Sequence, residues 1–255
     1  SDPNLKNLPG RTDEGKEIRM AVKPQKEGWS ILGADYSQIE LRVLAHMSED
    51  ETLIKAFMDD RDIHMETAKR IFNIGEEFVT ESMRRIGKMV NFAIVYGVSP
   101  YGLAKRIGMD VKETRKIIDS YFENYRGVQT YMAGIKELAR KYGYVKTMFG
   151  RRRDIPQINA RDPNVRAEGE RIAINTPIQG TAADIMKIAM VKIYEKLREQ
   201  HLKTLMILQV HDELIFEVPD EELETIKVLV KEEMENAVKL RVPLLVDVYV
   251  DKYML

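Results

Sequence analysis

The chain has 255 residues, 44% of them hydrophobic and 32% charged, with a formal net charge of −1, four histidines and no cysteine. That length and balance suit a globular chain of one large or two modest domains with a real core. They exclude disulfides and thiolate metal sites, and no apolar run approaches the roughly 20 residues that span a bilayer.

Charge distribution says more than the total. Residues 136–153 hold Lys136, Arg140, Lys141, Lys146, Arg151, Arg152 and Arg153 against the single acid Glu137, whereas residues 213–251 hold eleven acids against four bases. A basic tract backed by an acidic end lets a neutral protein turn one surface to phosphates. A solvated charged surface fits the same numbers.

Residues 1–22, with Pro3, Asn4, Asn7, Pro9 and Gly10, read as an ordered loop leading to a strand, and Ser1-Asp-Pro-Asn is no signal peptide. Trp29-Ser-Ile-Leu-Gly-Ala34 is an apolar run of strand length ending at Asp35, after which Tyr36-Ser-Gln-Ile-Glu-Leu-Arg42 turns helical. Ser48-Glu-Asp-Glu51 predicts a capping box opening a short helix to Met58, and Asp62-Ile-His64 opens the next, with His64 near a helix N-terminus that favours phosphate. From Thr80 to Gly97 the pattern is helical, and Arg84, Lys88, Phe92 and Tyr96 recur every four residues, a stripe of two cations and two rings. Such a stripe suits a triphosphate at one end and a base or sugar at the other; an amphipathic helix with both rings in the core suits the same spacing.

Ser99-Pro100 starts a helix ending near Gly108, Asp110-Val-Lys-Glu113 is a second capping box, and helix continues through Tyr142 with Gly127 as a break. Tyr144 to Phe149 alternates like a strand, followed by the basic turn Gly150-Arg-Arg-Arg153. Asp162-Pro163 caps a helix that Pro177 interrupts, and Gln179 opens a long one to about Gln200. Leu205 to Val218 reads as two apolar strands around the acidic turn His211-Asp212-Glu213; Asp220 opens the last helix, and Pro243 to Val250 is a closing strand. Strands at both ends and helices between predict an α+β body from residues 1–47 and 170–255, holding an inserted helical region of about 120 residues.

Asp35 and Asp212 would meet at a sheet edge. Close carboxylates raise one another's pKa unless a cation shares the site, and Mg²⁺, which takes oxygen ligands from one or two carboxylates plus phosphates and water, meets that need. Two such ions clamp an in-line phosphoryl displacement. Singly, each motif also reads as a helix cap or a hairpin turn. A metal-dependent phosphodiesterase and a non-catalytic duplex-binding module are the competing functions; the first has no use for the 84/88/92/96 stripe, the second none for paired acids.

Asp35-Tyr-Ser-Gln-Ile-Glu-Leu-Arg42, Arg84-Arg-x-x-Lys88-x-x-Asn-Phe92-x-x-x-Tyr96-Gly97 and Gln209-Val-His-Asp-Glu213 resemble, in order, motifs A, B and C of family A (DNA polymerase I type) DNA polymerases. The likeness extends to Ser1-Asp-Pro-Asn-Leu, Asp62-Ile-His, Phe149-Gly-Arg-Arg-Arg and Asn175 to Asp184, in effect the whole chain, although Asp251 to Leu255 has no evident counterpart. The resemblance implies a palm from 1–47 and 170–255 and fingers at 48–169. It implies a polymerase adding dNTPs to a primer on template DNA with two Mg²⁺ ions, Mn²⁺ substituting. Asp35, Asp212 and the Tyr36 carbonyl would hold metal, with Glu213 close by. Arg84, Lys88 and His64 would grip the triphosphate, and Lys88 would protonate the departing pyrophosphate. Phe92 would stack on the nucleotide, Tyr96 would sit beside the template base, and Glu40, with Gln38 nearby, would exclude a 2′-hydroxyl. Asn4, Asn7, Arg11, Arg85, Arg171, Asn175, Gln179, Gln209 and His211 would touch DNA. The family carries a thumb and a Gly-Arg-Leu segment ahead of the first motif, so the expectation is a chain lacking its thumb, active fully only with an N-terminal thumb or exonuclease-like partner. The cytoplasm of a bacterial or virus-infected cell, at the nucleoid, is the implied location.

Overall fold

The computed structural model describes residues 17, 20, 21 and 23–253. Among the described residues two compact units emerge: those up to 39, with 185–239 and those from 244 on, form one, and 40–184 with 240–243 the other.

The first unit is a four-stranded antiparallel sheet in the order β4-β5-β1-β6, built from β1 (Trp29–Tyr36), β4 (Leu205–Val210), β5 (Glu213–Pro219) and β6 (Val246–Asp251). The apolar runs fill its centre: Ile31, Leu32, Ala34, Leu214, Ile215, Phe216 and Val218 are fully buried. Burying each side chain of this size contributes roughly 1.5–3 kcal/mol. A helix at Leu223–Glu235 covers one face, and the Tyr36 hydroxyl donates to the Met234 carbonyl at 2.7 Å. Side chains alternate along a strand, so Asp35 projects from the opposite face. Asp220 opens a 3₁₀ turn, Asp220–Glu222, ahead of that helix rather than the helix itself, and the closing strand begins at Val246, three residues later than its composition predicts.

The second unit is mostly helical: α1 (Ile39–Ser48, its first residue in the sheet unit), α2 (Glu51–Met58), α3 (Ile63–Phe72), α4 (Glu81–Val95), α5 (Pro100–Ile107), α6 (Val111–Asn124) and α7 (Arg126–Tyr142). A hairpin of β2 (Tyr144–Lys146) and β3 (Arg152–Asp154) follows, and then α8 (Pro163–Glu199), which passes into the sheet unit after Asp184. Side-chain caps start the helices: Asp50, Asp62, Thr80, Ser99 and Asp110 each accept from a first-turn backbone N–H.

Several expectations are corrected here. The cap of α2 is Asp50, not Ser48, whose hydroxyl instead accepts from the Asp50 N–H at 3.4 Å. The break before α7 falls at Tyr125. Gly127 lies inside the helix, where a Cβ would stand 2.7 Å from Asp50 Cα, so this glycine serves a close approach. Only residues 144–146 of the predicted strand pair. Pro177 does not interrupt α8: Ala173, Ile174 and Ile178 are buried around it, and that packing carries the helix past the N–H that proline lacks. The compact units meet at 39/40 and 184/185. Arg42 Nη1 donates to the Pro243 carbonyl at 2.8 Å, and Thr181 and Asp184 bond to Met148 and Arg151, which draws these segments into the helical unit.

Candidate active site

In the sheet unit, the two-residue turn His211-Asp212 joins β4 to β5 with Val210 opposite Glu213. His211 adopts φ 53° and Gln38, in the turn after β1, adopts φ 56°; such left-handed positions cost a non-glycine residue about 1 kcal/mol or more and cluster at functional sites. The Tyr36 N–H donates to the Asp212 carbonyl at 3.1 Å, tying the hairpin tip to the end of β1. Asp35 is the register partner of Glu213 on one side and of Asp247 on the other. Directly opposed residues share a face, so three carboxylates stand in one row, with Asp212 at the neighbouring turn.

The electrostatics follow. Burial, then Asp212, Glu213 and Asp247 in that order, push the Asp35 carboxyl up to about 7. Its Oδ1 is buried without a hydrogen-bond partner. A buried carboxylate oxygen with no donor and three acids around it fits a divalent cation, and Asp35 and Asp212 are the residues that would hold it. Among the described residues no trio of His, Cys, Asp and Glu forms a ready-made cage; Mg²⁺ completes its shell with water and phosphate oxygens. Asp247 and Tyr249, whose hydroxyl donates to Glu213 Oε1, were missed by sequence reasoning. The alternation Val246-Asp-Val-Tyr-Val250 announces a strand, but only its pairing beside β1 puts Asp247 in the acid row.

In the helical unit, the stripe lies at the surface. Arg84, Phe92 and Tyr96 are half-buried and Lys88 is exposed, while Gly87, Val90, Asn91, Ala93, Ile94 and Val95 make the buried face. Phe92 and Tyr96 thus stand at the border of the core, each partly exposed. Their rings stack at 6.1 Å between centroids and 15° between planes, and the His64 ring stands 6.0 Å from Phe92. Arg84 Nε donates to Asp62 Oδ2 at 2.6 Å, and Asp62 also caps α3 through the His64 and Met65 N–H groups. Burial first, with Lys88 and Arg84 adding and Asp62 opposing, lowers the His64 pKa to about 4, so the imidazole is neutral near pH 7.

Among the remaining predicted residues, Arg171, Asn175 and Gln179 form one stripe of α8, with Arg171 exposed and Asn175 Oδ1 buried without a partner. Gln209 Nε2 donates to the His211 carbonyl at 3.1 Å, His211 and Arg85 are exposed, and Glu40 is half-buried in the first turn of α1. Asn4, Asn7 and Arg11 lie outside the described residues. The basic tract is less free than its composition suggests: Lys136 and Arg140 pair with Glu170, Arg151 with Asp184 and Arg152 with Asp154. No helix among the described residues is long and apolar enough to cross a membrane.

The chain is 53% identical over 247 residues to DNA polymerase I of Bacillus subtilis (strain 168), covering 97% of this chain and 28% of that protein. It is likewise 53% identical over 248 residues to DNA polymerase I of Caldicellulosiruptor bescii, covering 97% of this chain and 29% of that one. The chain thus spans under a third of the length of these relatives. A solved structure, the POL domain of Pol1 from M. smegmatis in complex with DNA primer-template and dNTP, superposes with a TM-score of 0.94 at 41% identity, over 99% of this chain and 44% of that one. The model of DNA polymerase family A matches residues 1–254, which brings all but the last residue of the closing segment Asp251 to Leu255 inside the match. By this match the chain belongs to DNA polymerase family A.

Proposed function

We propose that the chain carries the nucleotidyl-transfer centre of a template-directed DNA polymerase, which joins a dNTP to a primer 3′-hydroxyl and releases pyrophosphate. The observation that carries this is the acid row: Asp35, with a buried oxygen lacking any donor, between Glu213 and Asp247 and beside Asp212. Bound at Asp35, Asp212 and the Tyr36 carbonyl, two Mg²⁺ ions would lower the pKa of the attacking hydroxyl and offset charge on the leaving phosphates.

The chain's own groups do the rest. Arg84 and Lys88 hold the triphosphate by charge, and His64 adds a neutral donor. Phe92 and Tyr96 offer stacked rings to the base. Lys88, exposed and one turn from Arg84, would give a proton to the departing pyrophosphate. Glu40, with Gln38, limits room at the sugar. Arg85, Arg171, Asn175, Gln179, Gln209 and His211 contact the primer-template, where minor-groove acceptors test pair geometry without reading sequence. In this reading the sheet unit serves as palm and the helices around α4 as fingers, and the reaction takes place on chromosomal DNA in the cytoplasm.

Primer extension decides it. Template-dependent lengthening of a labelled primer that needs dNTP and Mg²⁺ and is lost in Asp35→Asn and Asp212→Asn supports the reading. Strand shortening, or extension indifferent to both substitutions, overturns it.

A further inference from the structure

His64 is held from behind by a buried side chain that no step above employs. Asn91, on α4 and fully buried, places Nδ2 at 3.1 Å from His64 Nδ1 and at 3.4 Å from the Ile63 carbonyl. The single proton of the Thr67 hydroxyl is shared between the Ile63 carbonyl at 2.8 Å and Asn91 Oδ1 at 3.0 Å, and Thr67, also fully buried, stands 3.4 Å from the Tyr125 hydroxyl.

The orientation of the amide follows from its partners. The NH₂ end of Asn91 lies toward the Ile63 carbonyl, an arrangement that avoids setting two carbonyl oxygens against each other and turns the same NH₂ toward His64 Nδ1. A nitrogen that accepts a hydrogen bond carries no proton, so in the neutral ring the proton sits on Nε2. Asparagine is a poor residue for a helix interior, yet here its fully buried amide reaches His64 Nδ1 at 3.1 Å. Gly87, one turn earlier, permits the approach: a Cβ there would collide with the His64 carbonyl and press on Ala68, so α3 and α4 touch backbone to backbone beside the amide.

We propose that Asn91 is a positioning residue for nucleotide binding: its amide locks His64 into the tautomer with Nδ1 bare and Nε2 protonated, so that the imidazole meets a triphosphate as a neutral hydrogen-bond donor. The nucleotide half of this rests on the triphosphate role of His64 given above; the tautomer half does not. The low proton affinity of the buried ring agrees with it, since a donor facing Nδ1 opposes a second proton there.

The test is nitrogen NMR of the ¹⁵N-histidine-labelled chain, with His46, His201 and His211 as internal references. The expected wild-type spectrum shows His64 with Nδ1 unprotonated and Nε2–H throughout pH 6–8. Asn91→Asp offers a carboxylate where the donor stood, and should move the proton to Nδ1 and raise the titration midpoint by about one unit or more. Asn91→Ser, too short to reach the ring, should give a mixture of tautomers. In nucleotide incorporation, Asn91→Asp should raise KM for dNTP roughly tenfold, the worth of about one charge-assisted hydrogen bond, with a smaller change in kcat. A wild-type Nδ1–H tautomer overturns the proposal whether or not the variants fold, as does a tautomer that both substitutions leave unchanged. The expected tautomers together with no response of His64 Nε2 or of KM to dNTP would overturn the triphosphate role alone.

Discussion

The ring of Tyr249 occupies the space that a side chain at residue 33 would fill. Gly33 and Tyr249 are register partners on adjacent strands, and a Cβ built on Gly33 would collide with the hydroxyl end of the tyrosine ring, whose hydroxyl reaches Glu213 on the far side of β1. A glycine in the middle of a central strand loses packing and entropy; here its bare backbone lets one aromatic side chain bridge three strands and brace an acid of the site.

Gly33→Ala should therefore expel Tyr249. The expected cost is about 1–3 kcal/mol, typical of overpacking, with a loss of Mg²⁺-dependent extension as Glu213 is released. Tyr249→Phe removes only the hydroxyl and should cost about 1 kcal/mol while keeping most of the fold stability. Urea unfolding of both variants beside extension rates checks this, and an alanine at 33 that changes neither would refute the bridging role.

Metal removal should show a sign reversal at Asp35. With EDTA present, the carboxylate faces three acids and has a buried oxygen without a donor, so Asp35→Asn should raise the melting temperature of the metal-free protein by a few degrees, or about 1 kcal/mol. With Mg²⁺ present, wild type should gain stability by mass action while the variant gains little. Asp247→Asn, one strand away, should weaken the Mg²⁺-induced shift without abolishing it. Calorimetry with and without Mg²⁺ decides, and an equal Mg²⁺ shift in wild type and Asp35→Asn would remove Asp35 from the metal site.

The cationic half of the helix stripe should affect nucleotide use and spare DNA affinity. Arg84→Ala and Lys88→Ala are each expected to lower incorporation by about two orders of magnitude, while affinity for primer-template changes less than about twofold. Arg84 is held by Asp62, the α3 cap, so Asp62→Ala should both free the guanidinium and cost about 1 kcal/mol of stability. Single-turnover incorporation and a duplex titration at fixed salt separate the two effects; equal losses in both would refute the division of labour.

Much of this was legible in the chain because it depends on local pattern. Apolar runs of strand length marked β1, β4 and β5, acidic and hydroxyl caps marked helix starts, and the four-residue spacing from Arg84 to Tyr96 marked one stripe of α4 whose residues are half-buried or exposed. The failures are tertiary. Nothing near Pro177 in sequence announces the buried flanks that carry α8 through it, and Asp247 belongs to the acid row only because β6 pairs beside β1. Asn91 reads as one letter of a motif until α3 lies against α4 and its amide finds His64.

The pH dependence of stability should carry the mark of His64. Its pKa is lowered from 6.5 to about 4 by burial and by the neighbouring Lys88 and Arg84, against Asp62. Between those two values the unfolded chain binds a proton that the folded ring refuses, so folding stability must fall as pH drops from 6.5 toward 4 and level off below that. Above pH 6.5 this residue contributes no slope. The full effect is bounded by the shift at about 3 kcal/mol, and relaxation of the fold around the charged ring makes the observed loss smaller. His64→Gln, which cannot take up a proton, should show a shallower decline across the same window while matching or falling below wild type at pH 7.5. Chemical unfolding at half-unit steps from pH 4 to 8 provides the comparison, and parallel curves for the two proteins would show that the ring is not held neutral by the fold.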